Sequence, residues 1–161
     1  MNPLAQKLPI NSFGVSSASL IGIHNVLESF FYMIKSSRST LKIAMQYLGS
    51  KWSSDTELRR KYYTDFSNLL NLASERGVNV RIIGTFTKSN RLLREMINSR
   101  NIKLKSLDNL YLRFVIKDDS ECLIVTSEQY SENLFLYKGF WTISGQLTDI
   151  LGALFEELWK K

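Results

Sequence analysis

The sequence contains few residue types that can act as nucleophiles, bases or metal ligands. It has one histidine, His24, and one cysteine, Cys122. A single cysteine excludes an internal disulfide framework and a cysteine zinc finger, and a single histidine excludes sites built from two histidines of one chain. No Gly-rich phosphate-binding loop and no Gly-x-Ser-x-Gly elbow is present. We therefore predict no metal and no cofactor, and we interpret Cys122 as a buried strand residue.

A polar pattern between two apolar runs is the main candidate for chemistry. Tyr111 and Arg113 are followed after four residues by Asp118, then by a turn, an apolar run and the pair Thr126-Ser127. An arginine guanidinium can hold a phosphate or a carboxylate through two parallel hydrogen bonds. A phenol, with a reference pKa of about 10, is a poor nucleophile at neutral pH. An aspartate followed by Asp119 and serine suits a tight turn.

This pattern resembles the signature strand pair of the phospholipase D superfamily, which reads His-x-Lys, four residues, then Asp. Tyr111 stands at the position of the histidine that attacks phosphorus, Arg113 at that of the lysine, and Thr126-Ser127 at that of a Gly-Ser pair. The resemblance covers residues 18–161, which is one copy of a two-copy enzyme fold. It implies an α/β, phospholipase D-like three-layer αβα sandwich with a mixed, mostly parallel sheet and an antiparallel C-terminal portion. Because the histidine is replaced, we expect a retained pocket without hydrolytic activity, rather than an enzyme.

The end of the chain carries a second resemblance. Residues 138–144 read Lys-Gly-Phe-Trp-Thr-Ile-Ser, and a helix closing on Leu154-Phe155 and Leu158-Trp159 follows. This order is similar to the end of the sensor domain of archaeal TrmB-type transcriptional regulators, and it implies a catalytically inactive domain that senses an effector and dimerises. We interpret residues 1–17 as an N-terminal arm or linker remnant, too short for a winged helix. The chain would then be the sensor part of a regulator or a standalone relative.

The resemblance implies a pocket that forms where two copies meet, so we expect a homodimer. By residue matching, the candidate ligand-binding residues are Tyr111, Arg113 and Ser127. Gln46 and Tyr47 are added because they end a predicted strand, and ligands bind beyond the carboxyl ends of parallel strands. The expected ligand is a small-molecule or phosphate-containing effector.

One alternative is a divergent phosphodiesterase or nuclease. In it, Tyr111 would be the nucleophile and Arg113 would bind the phosphate. The missing histidine opposes this alternative.

A second alternative is a nucleic-acid-binding module. The net charge is +6, and residues 35–106 carry 15 basic and 5 acidic residues, whereas residues 107–161 carry 5 basic and 9 acidic residues. A basic surface of this kind can bind phosphates, or it can simply be solvated. The candidate residues lie on two consecutive predicted helices. They are Arg59, Arg60 and Lys61 on one helix and Arg91, Arg94 and Arg100 on the next.

Hydrophobic periodicity predicts the elements that must position these residues. The predicted helices span 18–38, 53–76, a segment from Ser89, and 146–160, with Ser54 or Asp55 as N-cap and Gly77 ending the second helix. The predicted strands span 41–48, 78–84, 102–107, 110–117, 122–126 and 135–144. Alternation of strand and helix in the first half predicts parallel strands, and the run of strands in the second half predicts antiparallel ones.

The composition is that of one ordinary globular domain, with 161 residues, 44% hydrophobic and 22% charged. No apolar run approaches the roughly 20 residues of a membrane span. We expect a cytoplasmic protein with no membrane partner.

Overall fold

The computed structural model describes residues 16–46, 56–97, 101–131 and 134–161. Seven strands and four α-helices lie within these ranges. The strands are β1 (Ser16–Ile21), β2 (Thr40–Met45), β3 (Asn79–Gly84), β4 (Ile102–Ser106), β5 (Arg113–Lys117), β6 (Glu121–Ser131) and β7 (Leu134–Ile143). The helices are α1 (Ile23–Ser36), α2 (Thr56–Glu75), α3 (Arg91–Met96) and α4 (Gly145–Lys160), and a 3-10 turn, Lys88–Asn90, precedes α3.

The strands form one mixed sheet in the order β1-β7-β6-β5-β2-β3-β4. The neighbours β2, β3 and β4 are parallel, as the alternation of strands and helices predicts. All the other neighbours are antiparallel. The expectation of a mostly parallel sheet is therefore wrong, because β5 joins β2 in the antiparallel sense and the unpredicted β1 adds a further antiparallel pairing.

Helices cover both faces of this sheet, which gives the expected three layers. On one face, Phe30 of α1 and Phe66 of α2 share a core with Leu41 and Ile43 of β2. On the other face, Phe155 of α4 packs in a second core whose strand residues are Ala44, Ile83, Phe114, Ile116 and Cys122. The alternation of side chains along each strand supplies the two cores.

The first helix begins later than its periodicity predicts. Residues 18–21 belong to β1, which pairs antiparallel with β7, and they are not helical. Ala18 and Leu20 are buried, whereas Ser19 between them is exposed, so this segment has the period of a strand. Gly22 follows with a φ of 88°, in the left-handed region that glycine adopts without strain, and it separates β1 from α1.

The second helix ends as predicted. Gly77 has a φ of 87°. Its N–H donates to the Ser74 carbonyl at 2.9 Å, and the Val78 N–H donates to the Ala73 carbonyl at 3.1 Å. These two bonds are those of a Schellman motif, which satisfies the last carbonyls of a helix. The proposed N-caps, Ser54 and Asp55, lie outside the described residues.

The strand that carries the signature pattern is shorter than predicted. It begins at Arg113, not at residue 110. Asn109 has a φ of 59°, and this left-handed residue turns the chain just before the strand. Leu110 is buried in the core beneath α4, whereas Tyr111 is exposed to solvent. Tyr111 and Arg113 therefore do not share one regular strand.

None of the helices in the described ranges is long and apolar enough to cross a membrane.

Candidate functional site

Arg113 is the centre of the candidate site. It is the first residue of β5, pairs with Met45 of β2 and is half-buried. Its Nη1 donates to Ser127 Oγ at 2.6 Å, and its Nη2 donates to Gln46 Oε1 at 3.2 Å. Three of the predicted ligand-binding residues, from three different strands or strand ends, are therefore in contact. They lie at the carboxyl end of β2, where the sheet was expected to bind a ligand.

Within the described residues, the groups that hold the Arg113 guanidinium are neutral. Among the described residues, no carboxylate forms an ion pair with it within 4.0 Å. Other cations of the sheet are paired: Lys42 Nζ lies 2.8 Å from Asp119 Oδ1, and Lys117 Nζ lies 2.5 Å from Glu121 Oε2. A partly buried charge is costly without a counter-ion. The site therefore favours an anion near Arg113.

Tyr137 completes the site and is absent from the predicted set. It pairs with Ser127 across β6 and β7, and its ring centre lies 6.0 Å from the Arg113 guanidinium carbon. Burial raises the pKa of Tyr137, and the positive charge of Arg113 only partly opposes this effect. The phenol is therefore protonated at neutral pH and can donate a hydrogen bond.

Aromatic side chains of α2 form the apolar floor behind Tyr137. Tyr62 and Tyr63 are each 4% exposed, and their ring centres lie 5.7 Å apart. Burial, and then the neighbouring phenols of Tyr63 and Tyr137, raise the pKa of Tyr62 well above its usual value. Tyr62 also stacks on Phe66 at 5.7 Å. Tyr62 thus lies between the rings of Tyr63 and Phe66.

Tyr111 does not join the group around Arg113. Its side chain is 78% exposed, and no described hydrogen bond links it to Arg113, Ser127 or Gln46. An attacking group needs a base within hydrogen-bond reach, and Tyr111 has none among the described residues. Tyr47, the remaining candidate, lies outside the described residues.

Asp118 has a structural role at the other end of β5. It has a φ of 51° in the turn between β5 and β6, and its carboxylate accepts hydrogen bonds from the backbone N–H of Arg38, Ser39 and Thr40 and from the Ser39 hydroxyl. Burial opposes ionisation, but these hydrogen bonds outweigh it and lower the pKa of Asp118. The carboxylate thus ties the turn to the chain that enters β2. This geometry agrees with the interpretation of Asp118 as a turn residue.

The basic residues of α2 do not form a surface of one sign. Arg60 and Lys61 are exposed, but Glu57 and Asp65 lie one turn away and line the same shallow depression. Arg59 is half-buried. Because Tyr62 and Tyr63 are buried, they cannot stack on nucleic-acid bases.

The basic residues of α3 also have partners within the protein. Arg91 Nε forms an ion pair with Glu95 Oε1 at 2.6 Å. The guanidinium of Arg94 lies over the Phe86 ring, 5.6 Å from its centre. Arg100 lies outside the described residues. The described part of the chain therefore offers separate cations here rather than a continuous basic stripe.

The sequence contained a signal for Tyr137 that the motif comparison did not use. In the predicted strand 135–144, Tyr137, Gly139 and Trp141 alternate and must share one face. Ser127 directly follows the predicted strand 122–126, so a hairpin between the two strands would bring Tyr137 and Ser127 together. The length of the segment between the two strands does not determine which residues are opposite each other. The sequence therefore did not predict that Ser127 pairs with Tyr137.

Comparisons with known proteins identify the fold. No family model and no curated protein matches the sequence. The structure is similar to TrmBL2, an archaeal chromatin protein whose structure shows a novel mode of DNA binding, with a TM-score of 0.67 and 15% identity over 89% of this chain and 52% of that chain. The chain thus spans about half the length of TrmBL2.

Two smaller proteins match over nearly their whole length. NucT from Helicobacter pylori has a TM-score of 0.68 and 16% identity, over 91% of this chain and 96% of that one. Nuc from Salmonella typhimurium, a phospholipase D family member, has a TM-score of 0.66 and 12% identity, over 89% of this chain and 95% of that one. At these identities the comparison establishes the fold and not the activity. The chain has a phospholipase D-like α/β fold, with a seven-stranded mixed sheet between two layers of helices.

Proposed function

We propose that this chain is a non-hydrolytic, phospholipase D-like domain that binds an anionic effector at Arg113. The observation that carries the proposal is the half-buried guanidinium, which two neutral oxygens hold in place and no described carboxylate neutralises. Ser127 and Gln46 each accept one N–H of Arg113, and its other N–H groups can be directed at a ligand. The Tyr137 ring lies beside the guanidinium and forms an apolar side of the site. A phosphate or a carboxylate fits this set of donors.

The proposed lack of hydrolysis rests on the residue at the position that the resemblance assigns to the nucleophile. Tyr111 is exposed and is not hydrogen-bonded to any group of the site in the described ranges. A chromogenic phosphodiester should therefore not be turned over. Turnover that is lost in Tyr111→Phe would instead support the phosphodiesterase alternative.

The wider role we propose is that of the sensing and self-associating part of a transcriptional regulator. The similarity to TrmBL2 supports this role, since TrmBL2 binds DNA and is about twice as long as the matched region. Binding of an effector would then change the arrangement of the regulator's DNA-binding parts.

Calorimetric titration with inorganic phosphate and pyrophosphate tests the anion site. Arg113→Met keeps most of the side-chain volume and removes the charge, and it should weaken phosphate binding about 10- to 150-fold, since hydrogen bonds to charged groups contribute roughly 1.5–3 kcal/mol. Arg91→Met is the matched control, because Arg91 is an exposed arginine whose loss changes the net charge equally. Equal phosphate affinity in Arg113→Met and the wild type would refute the site.

The same pair of variants tests the nucleic-acid alternative. Binding through a basic surface should weaken steeply with salt and should fall in Arg91→Met. DNA retention that is insensitive to Arg113→Met but reduced by Arg91→Met would favour this alternative over the effector site.

A further inference from the structure

The hairpin of β6 and β7 reaches past the neighbouring strands at the candidate site. On one side, β5 pairs with β6 as far as Ile124. On the other side, β1 pairs with β7 as far as Lys138. The pairing of β6 with β7 continues beyond both points to Phe135. Among the described strands, this end of the hairpin therefore has no further neighbour in the sheet, and it projects beside Arg113.

One face of the projecting hairpin leads from the guanidinium to an aromatic ring. Ser127, whose Oγ accepts from Arg113 Nη1 at 2.6 Å, pairs with Tyr137. Two residues further along each strand, Gln129 pairs with Phe135. Because side chains alternate between the two faces of a strand, both pairs lie on the same face. This face therefore presents the cation, the Tyr137 ring and the Phe135 ring in that order.

The ring of Phe135 is open to solvent at the end of this row. Its side chain is 37% exposed, whereas Tyr137 is half-buried. A strand rises about 3.4 Å per residue, so Phe135 lies about 7 Å beyond Tyr137 along the hairpin. Inorganic phosphate at Arg113 does not reach that far. An anion that also covers Phe135 needs a flat apolar group, separated by several bonds from its charged end.

A flat heterocycle is the group that suits this end of the row. Nucleic-acid bases stack on exposed aromatic side chains through their π faces. The Gln129 amide, opposite Phe135, carries both a donor and an acceptor, which are the groups that hydrogen-bond the edge of a base. A nucleoside monophosphate combines the two required parts, since its ribose separates the base from the phosphate.

We infer that the anionic effector bound at Arg113 is a nucleoside monophosphate, with its phosphate on the guanidinium and its base stacked on Phe135. This inference rests on the proposed anion site and names the class of its ligand. It involves binding only, and no bond of the nucleotide is made or broken.

Calorimetric titration of the full chain with adenosine 5′-monophosphate, ribose 5-phosphate and inorganic phosphate tests the inference. The nucleotide should bind the wild type about 5- to 150-fold more tightly than ribose 5-phosphate, the range expected when one base stacks on an aromatic side chain. Phe135→Ala should remove this preference and leave the affinity for inorganic phosphate unchanged. Phe140→Ala is the matched control and should keep the preference, because Phe140 is 42% exposed on the same strand but lies on the opposite face.

Two further variants separate stacking from simple apolar contact. Phe135→Leu should lose the preference for the nucleotide, whereas Phe135→Trp should keep it. A preference that survives in Phe135→Leu would overturn the inference. So would a wild type that binds phosphate but binds the nucleotide no more tightly than ribose 5-phosphate, and this result would leave the anion site intact. A wild type that binds none of the three compounds would refute the anion site and the inference together.

A single-stranded tetranucleotide distinguishes a free nucleotide from nucleic acid. It should bind with an affinity similar to that of the mononucleotide, because the row from Arg113 to Phe135 holds one phosphate and one base. Binding of the tetranucleotide that is at least about tenfold tighter and weakens steeply with salt would overturn the inference in favour of the nucleic-acid alternative.

Discussion

Replacement of Glu121 with glutamine should strongly destabilise the protein, because Glu121 neutralises a lysine inside the fold. Its Oε2 lies 2.5 Å from Lys117 Nζ, and its Oε1 accepts a hydrogen bond of 2.7 Å from Trp141 Nε1. The Lys117 and Glu121 side chains are only 13% and 7% exposed, so water cannot replace the lost charge. Glutamine keeps the shape of the side chain, but its single amide oxygen can accept from Trp141 or from Lys117 and not from both, so the substitution removes the charge together with one of the two hydrogen bonds.

The expected loss is about 3–5 kcal/mol, the usual cost of removing one member of a buried ion pair. In a domain of this size each kcal/mol lowers the unfolding midpoint by roughly 2–4 °C, so the midpoint should fall by about 6–20 °C. Removing both charges should cost much less, because a buried pair contributes little net stability compared with an apolar replacement. Lys117→Met is the suitable partner change, since Lys117 lies over the Tyr32 ring at 5.5 Å and a methionine sulfur also packs well on an aromatic ring.

Urea unfolding of the wild type, the two single variants and the double variant measures the coupling. The double variant should be more stable than Glu121→Gln alone. Glu157→Gln is the control: it removes a carboxylate from an exposed pair with Lys160, and it should leave the midpoint unchanged. If Glu121→Gln is as mild as Glu157→Gln, or if the two single effects simply add, the reasoning from burial is refuted.

Two further predictions concern titratable groups. Asp118→Asn keeps a residue that tolerates the positive φ and removes the charge that residues 38–40 stabilise, so urea unfolding at pH 7 should show a loss of about 1–3 kcal/mol. The folded-state pKa of Asp118 is below its unfolded value, so this advantage of the wild type is complete above about pH 4 and is lost as pH falls through the lower folded-state pKa; a difference that grows on acidification would contradict the assignment. Burial, and then the charge of Glu121, raises the pKa of Cys122 to about 11, so alkylation at pH 8, followed by mass spectrometry, should be far slower in the native protein than in urea. Equal rates in the two conditions would show that the thiol is accessible.

Local sequence patterns correctly predicted most of the helices and strands, but they wrongly predicted a helix at residues 18–21. The apolar spacing of α2 and α4 and the position of Gly77 are local signals, and the structure has helices at both places. Residues 18–21 fit either a helix or a strand by spacing, since Leu20 and Ile23 are three apart while Ala18 and Leu20 are two apart. Pairing with β7, more than one hundred residues later, decides between the two.

The candidate site was predictable in part. The signature pattern and the strand-end argument select Arg113, Ser127 and Gln46, and these three side chains are in contact. The same pattern selects Tyr111, which is exposed because the turn at Asn109 precedes a shorter β5. Matching residues to a motif assigns Tyr111 a position along the chain. It does not predict the backbone turn that directs the Tyr111 side chain away from Arg113.

The sequence by itself determined the α/β class, the parallel half with its antiparallel addition, and the cation available for an anion, because periodicity, turn residues and residue type are local properties. Only the tertiary structure decided that Arg113 lies among neutral groups in the described part of the chain, that Lys117 has a buried partner, and that β1 is an edge strand of the described sheet. Each of these depends on strand order and register, which bring together residues far apart in the chain. Charge balance and edge exposure follow from that juxtaposition, and composition does not specify it.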